Sequence, residues 1–77
     1  MKHSEAKILI YLSEVHSMYK WTRAISFKLS MDYGYLTRIL ADMQDKGWVK
    51  AVRRENKKFY ELLKAANLKR AKKILAK

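Results

Sequence analysis

TRAISFKLSMDYGYLTRILADMQDKG, Thr22 to Gly47, holds two short apolar-periodic runs separated by Ser30-Met31-Asp32. In the first run Ile25 and Leu29 sit one turn apart, predicting a helix from about residue 23 to residue 29 with Thr22 poised to cap it. In the second, Leu36, Ile39, Leu40 and Met43 recur at helical spacing and predict a helix over about residues 33–46. Asp32 is placed to cap that helix, and Gly47 to end it in the left-handed conformation glycine tolerates. Ser26 supplies a small residue where the two helices cross, and Ser30 takes the turn. With the apolar set inward, Gly34, Arg38, Ala41 and Asp45 point away from the body, flanked by Tyr35, Thr37 and Asp42. A glycine inside a helix costs roughly 1 kcal/mol relative to alanine, so Gly34 implies tolerated weakness or a close approach to something outside the chain.

The flanking segments extend the pattern. Upstream, Ser4 can cap a first helix whose Ile8, Leu12, Val15 and Tyr19 share a face with Tyr11 and Met18 beside it. Ile10 falls on the opposite side, near Lys7, Glu14 and Ser17, as an exposed residue or part of a second buried surface. Lys20-Trp21-Thr22 reads as a short extended stretch. Downstream, Trp48 to Arg53 and Phe59 to Leu62 are β-prone segments around a charged tip, Arg54-Glu55-Asn56-Lys57-Lys58, forming a hairpin over about residues 48–62. A last helix spans about residues 63–77, with Ala65, Leu68, Ala71 and Leu75 on its apolar face and Lys69, Arg70, Lys73 and Lys77 across from it. Ile74 widens that apolar arc beyond what one small core requires. Met18, Met31 and Met43 read as core filler, Trp21 and Trp48 as core anchors or anchors at the root of the hairpin, and His3 and His16 as surface residues.

At 77 residues the chain is expected to form one domain with a barely sufficient core. It has no cysteine, which excludes disulfides and thiolate metal sites, and a metal centre built on its two histidines alone is improbable. No apolar run approaches the roughly 18 residues of a membrane span, nor does the N-terminus resemble a secretion signal, so the expected compartment is intracellular. The seven acidic residues show no paired general acid and base, and no glycine-rich phosphate loop is present, so no enzyme and no cofactor are expected. Charge is unevenly placed. Residues 1–45 carry six Lys and Arg against five Asp and Glu, whereas residues 46–77 carry twelve against two. The +10 of the second part calls for a polyanionic partner, nucleic acid ahead of an anionic membrane. The alanine-rich last helix, with no aromatic residue and a core role of its own, argues against membrane binding.

The order of apolar pattern, turn, hairpin and closing helix, from Ile8 to Leu75, resembles a winged helix-turn-helix domain of the general MarR or ArsR kind. Ser30 stands where many such domains have glycine, and Leu63 where threonine is frequent. The fold class this implies is α+β, mainly α: a three-helix core, a two-stranded β-hairpin wing and a C-terminal helix. The resemblance further implies that residues 33–46 are the recognition helix and enter the major groove of double-stranded DNA.

The candidate contacts follow. On the recognition helix they are Tyr33, Gly34, Tyr35, Thr37 and Arg38. Arg38 reads a guanine edge, binds phosphate or pairs with Asp42 one turn on. Tyr33 leans toward the core side, where half-buried packing fits as well as a DNA contact. On the wing, Arg53, Arg54, Asn56, Lys57 and Lys58 suit a minor-groove or backbone contact better than a merely solvated tip. Thr22 and Lys28 are candidate phosphate contacts. Ile10, Leu68, Ala71, Ile74 and Leu75 are candidates for a homodimer interface. The function expected is a sequence-specific DNA-binding regulator, a repressor acting by occlusion. The alternatives are a nonspecific or architectural DNA-binding protein, or a winged-helix module contacting protein or RNA in a larger assembly.

Overall fold

Glu5, rather than Ser4, organises the start of the first helix. In the computed structural model, which describes residues 1–76, α1 runs His3–Glu14. The Lys2 backbone N–H donates to Glu5 Oε1 at 2.7 Å, the reciprocal half of a capping box. Ser4 therefore lies inside the first turn, its Oγ 3.5 Å from the Tyr35 hydroxyl. The buried apolar set of α1 is broader than the predicted stripe, comprising Ala6, Ile8, Leu9, Tyr11 and Leu12, because the closing helix covers one side and the rest of the body the other.

The first helix also ends earlier than its periodicity suggests. Val15 is extended, His16 Nδ1 accepts the Met18 N–H at 3.2 Å, and Ser17–Tyr19 form a 3₁₀ turn. The Tyr11 hydroxyl ties this turn down by donating to the Tyr19 carbonyl at 2.7 Å, and burial, with Tyr19 nearby, raises its pKa. Met18 and Tyr19 consequently project to the surface instead of joining the core. Trp21 bridges Phe59, and the Tyr60 N–H donates to the Lys20 carbonyl at 2.9 Å, so the expected extended stretch flanks the hairpin as a minimal third strand.

α2 spans Thr22–Leu29 and α3 Tyr33–Asp45. Trp21 occupies the N-cap of α2, which puts Thr22 within the helix and overturns its expected capping role. Asp32 caps α3 as expected, its Oδ2 accepting the Tyr35 N–H at 3.0 Å. Both helices end in the same two-bond arrangement. Met31 N–H reaches the Ser26 carbonyl while Ser30 N–H reaches Phe27, and Trp48 N–H reaches Met43 while Gly47 N–H reaches Gln44. The residue at the bend is left-handed in each, Ser30 at φ 53° and Gly47 at φ 77°. Ser30 thus adopts the conformation for which glycine is the usual choice, and the Ser26 hydroxyl, donating to the Met31 carbonyl at 2.6 Å, braces it.

The wing is tighter than expected. β1, Val49–Arg54, and β2, Lys57–Leu62, pair antiparallel with Val49 opposite Leu62 and Arg54 opposite Lys57. Only Glu55 and Asn56 form the turn, both at positive φ (49° and 65°), as a type I′ hairpin requires. α4, Ala65–Leu75, packs along α1. Its buried side is marked by Asn67 and Ala71 with Leu68, Ile74 and Leu75 half-buried, whereas Ala65 is exposed, so the expected face is rotated. Lys77, placed by the sequence at the end of this helix, lies outside the described residues. The core joins α1 residues to Ile25, Leu36, Ile39, Leu40, Met43, Val49, Tyr60 and Ala71, and Trp48, Met31 and Leu29 pack at its edge.

Candidate nucleic-acid interface

Leu36, Ile39, Leu40 and Met43 are all buried, which anchors α3 and turns Gly34, Arg38, Ala41 and Asp45 outward as the helical wheel requires. Tyr33 and Tyr35 are each nearly half exposed, at 47% and 46%. The two tyrosines look to different sides. Tyr33 and Thr37 face the wing, while Tyr35 and Arg38 face the N-terminus of α1. The guanidinium of Arg23 lies over the Tyr33 ring at 5.2 Å, holding that ring at the surface rather than in the core. Thr37 Oγ1 donates back to the Gly34 carbonyl at 2.9 Å, leaving its lone pairs outward as acceptors.

The hairpin reaches this surface through strand alternation. Val49, Ala51, Tyr60 and Leu62 share one face with Arg53 and Lys58, while Lys50, Val52, Arg54, Lys57, Phe59 and Glu61 share the other. The first face is apolar where it covers the core and becomes basic where the hairpin passes beyond it. A cleft results between α3 and the wing. Arg23, Arg53 and Lys58 line it together with Tyr33, Thr37 and Asn56, Lys57 borders it from the other hairpin face next to the turn, and no carboxylate lines it. Thr22 borders the cleft but is mostly buried, its hydroxyl donating to the Lys58 carbonyl at 3.4 Å. It therefore fastens the wing to α2 and has no donor to spare for a phosphate.

On the other side of α3, Arg38 shares a hollow with Lys2, Glu5, Tyr35 and Asp42. Asp42 pairs with Lys46 at 2.9 Å, and among the described residues Arg38 has no ion-pair partner, so the alternative Arg38–Asp42 pair is not formed. Lys46 also reaches Glu5, whose side chain is only 2% exposed, at 3.2 Å. This bracket connects the C-terminal end of α3 to the start of α1. The Lys46 hydrogen bond holds the Asp42 carboxyl below the usual carboxylate range, and the Asp42 and Glu5 hydrogen bonds raise Lys46. The acid that would repel a phosphate nearest Arg38 is thereby countered by a cation of its own.

The structure separates two expected contacts from the cleft. Lys28 lies beside the Tyr19 ring at 5.8 Å and borders a groove with Ile10, Leu29 and Leu75, on the side of α2 away from the cleft. Arg54 points to the outer face of the wing, 3.8 Å from Glu61 and over the Phe59 ring at 5.7 Å. Of the dimer candidates, Ala71 is fully buried in the core, on the helix that packs along α1, and presents nothing to a second chain. Ile10 and Leu75 do come together in the groove just described, while Leu68 and Ile74 are half-buried. Sequence reasoning missed Arg23. The only signal for it was a cation at the start of the helix that precedes the recognition helix, and its place opposite the wing depends on the hairpin's docking.

No protein-family model and no curated protein matches the chain. Two solved structures do, by their coordinates. The oxidized form of MarR from E. coli superposes with a TM-score of 0.79 at 22% identity, over all of this chain and 57% of that one. A variant of Lactococcus lactis ZitR superposes with a TM-score of 0.73 at 24% identity, over 95% of this chain and 49% of that one. The chain spans about half the length of these two proteins. With its helix pair, turn, paired hairpin and closing helix in the same arrangement, this chain has the winged-helix fold of MarR and ZitR.

Proposed function

We propose that the chain is a sequence-specific double-stranded DNA-binding regulator. The observation that carries this reading is the cleft between α3 and the wing, lined by Arg23, Arg53 and Lys58 and bordered by Lys57, with no carboxylate among its lining residues. Four cations converging without counter-charge on a slot bounded by a helix suit a phosphate backbone, whose neutralisation releases counterions. The exposed N-terminal half of α3 has the width a major groove admits. Gly34 lets the helix approach closely, Arg38 reads a guanine edge, and Tyr33, Tyr35 and Thr37 contact flanking sugar, phosphate or a thymine methyl. Asn56 and the wing cations follow the adjoining backbone or minor groove.

Two copies paired through Ile10, Leu75 and their neighbours would present two recognition helices to successive major grooves about 34 Å apart. Occupation of a promoter by such a dimer blocks access to it, which makes repression the simplest output. Selection of bound duplexes from a random pool at two salt concentrations is the direct test, and a defined motif should emerge at both. Arg38→Ala should then cost roughly 1 to 3 kcal/mol on the selected site and relax its preference. An unchanged ratio of specific to nonspecific affinity would remove Arg38 from direct readout, and a pool that yields no motif would reduce the protein to a nonspecific DNA binder.

A further inference from the structure

Beside the cleft, with Trp21 at the boundary between them, the apolar side chains that the fold leaves uncovered gather on one flank. Phe27 on α2 is 80% exposed, and Met18 in the 3₁₀ turn is 59% exposed. Two adjoining hollows share Tyr19 and Trp21. One continues to Met18 and Phe59, the other to Phe27. Isolated exposed apolar residues are ordinary, but several in one continuous surface mark a place where something binds.

The rings are not bare. Lys28 lies over Tyr19 at 5.8 Å, Lys57 over Trp21 at 4.6 Å and Arg54 over Phe59 at 5.7 Å, and Glu55 is the one carboxylate lining either hollow. This arrangement decides between occupants. A second copy presenting this same flank would set Lys28, Arg54 and Lys57 against their own counterparts, like charge against like. Stacked bases would have to displace the cations from the ring faces. A segment that alternates carboxylates with apolar side chains meets both demands, filling the hollows while its charges rest on the cations beside each ring. We propose that this flank is a docking surface for an acidic amphipathic peptide segment of a partner protein, with apolar side chains against Phe27, Met18 and Tyr19 and carboxylates on Lys28 and Arg54.

The surface is distinct from the recognition helix and can be tested without DNA. The probe is a short fluorescein-labelled peptide in which glutamates alternate with leucine and phenylalanine, compared by anisotropy with an all-glutamate peptide and an oligothymidylate of equal length. The alternating peptide should bind at least about tenfold more tightly than the all-glutamate one. Phe27→Ser should weaken it by about tenfold and Phe27→Leu by much less, while both variants keep the circular dichroism spectrum and duplex affinity of the parent. Equal binding of the two peptides, or no effect of Phe27→Ser, overturns the proposal. Oligothymidylate binding that is tighter than the peptide's and is lost in Phe27→Ser overturns it too, assigning the flank to nucleic-acid bases.

Discussion

At Gly34 the fold makes no demand for glycine. A Cβ built there would meet only Asp32 Oδ2, the capping oxygen, at 3.4 Å, the edge of ordinary van der Waals contact. The fold therefore gives no internal reason for glycine at this position, and the close approach to DNA proposed above would supply one. Gly34→Ala should raise the stability of the protein by up to about 1 kcal/mol in urea denaturation while lowering duplex affinity in anisotropy titrations. Equal or better affinity would show that no close approach takes place there. Ser30 is the opposite case, since its φ of 53° does ask for glycine. Ser30→Gly should stabilise the chain by about 0.5 to 1 kcal/mol, strain relief outweighing the added freedom of the unfolded state. A lower denaturation midpoint would contradict that balance. The sequence marked the turn at Ser30 and could not show its hand, because a serine reaches that conformation only when the bonds at both ends of the turn hold it there.

At the scale of elements, the wing shows how alternation assigns function. Arg53 and Arg54 are neighbours in sequence and occupy opposite faces of β1, one lining the cleft and the other paired with Glu61 at 3.8 Å. Arg53→Ala should therefore weaken binding to all duplexes alike and reduce the slope of log affinity against log salt by about one unit. Arg54→Ala should leave that slope nearly unchanged, and equal effects from the two would mean that DNA does not use the inner face of the hairpin. The basic character of this segment was plain in its composition. Its division between faces was hidden, because the residues read as a five-residue tip turned out to be strand up to a two-residue turn, and Glu55-Asn56 carries no glycine to announce it. The helices follow the same pattern. The inward set of α3 was legible from spacing because one face meets one core, whereas α1 is covered on several sides and buries residues such as Leu9 that no single stripe includes.

For the whole molecule, the geometry of DNA binding depends on how many chains act together. Ile10, Leu29 and Leu75 meet in a groove although they come from three different helices, and Ala71, expected there, is spent inside the core. Sedimentation of the protein at rising concentration should show association beyond 9.2 kDa, and Ile10→Glu should restore the single-chain mass without altering helix content. A species of constant single-chain mass at high concentration would remove the paired-helix geometry from the DNA reading.

The sequence by itself determined that four helices and a hairpin form in this order, the capping by Asp32 and the helix end at Gly47, and the inward face of α3, because each depends on side chains close to one another along the chain. Only the tertiary structure decided which polar groups remain free for a partner. Thr22 is spent on a carbonyl 36 residues away and Lys46 on a carboxylate 41 residues away, while Arg23 gains its place opposite the wing and Lys28 loses one. Those assignments come from how the hairpin and α1 dock against the helix pair, and periodicity along a chain carries no information about contacts at that separation.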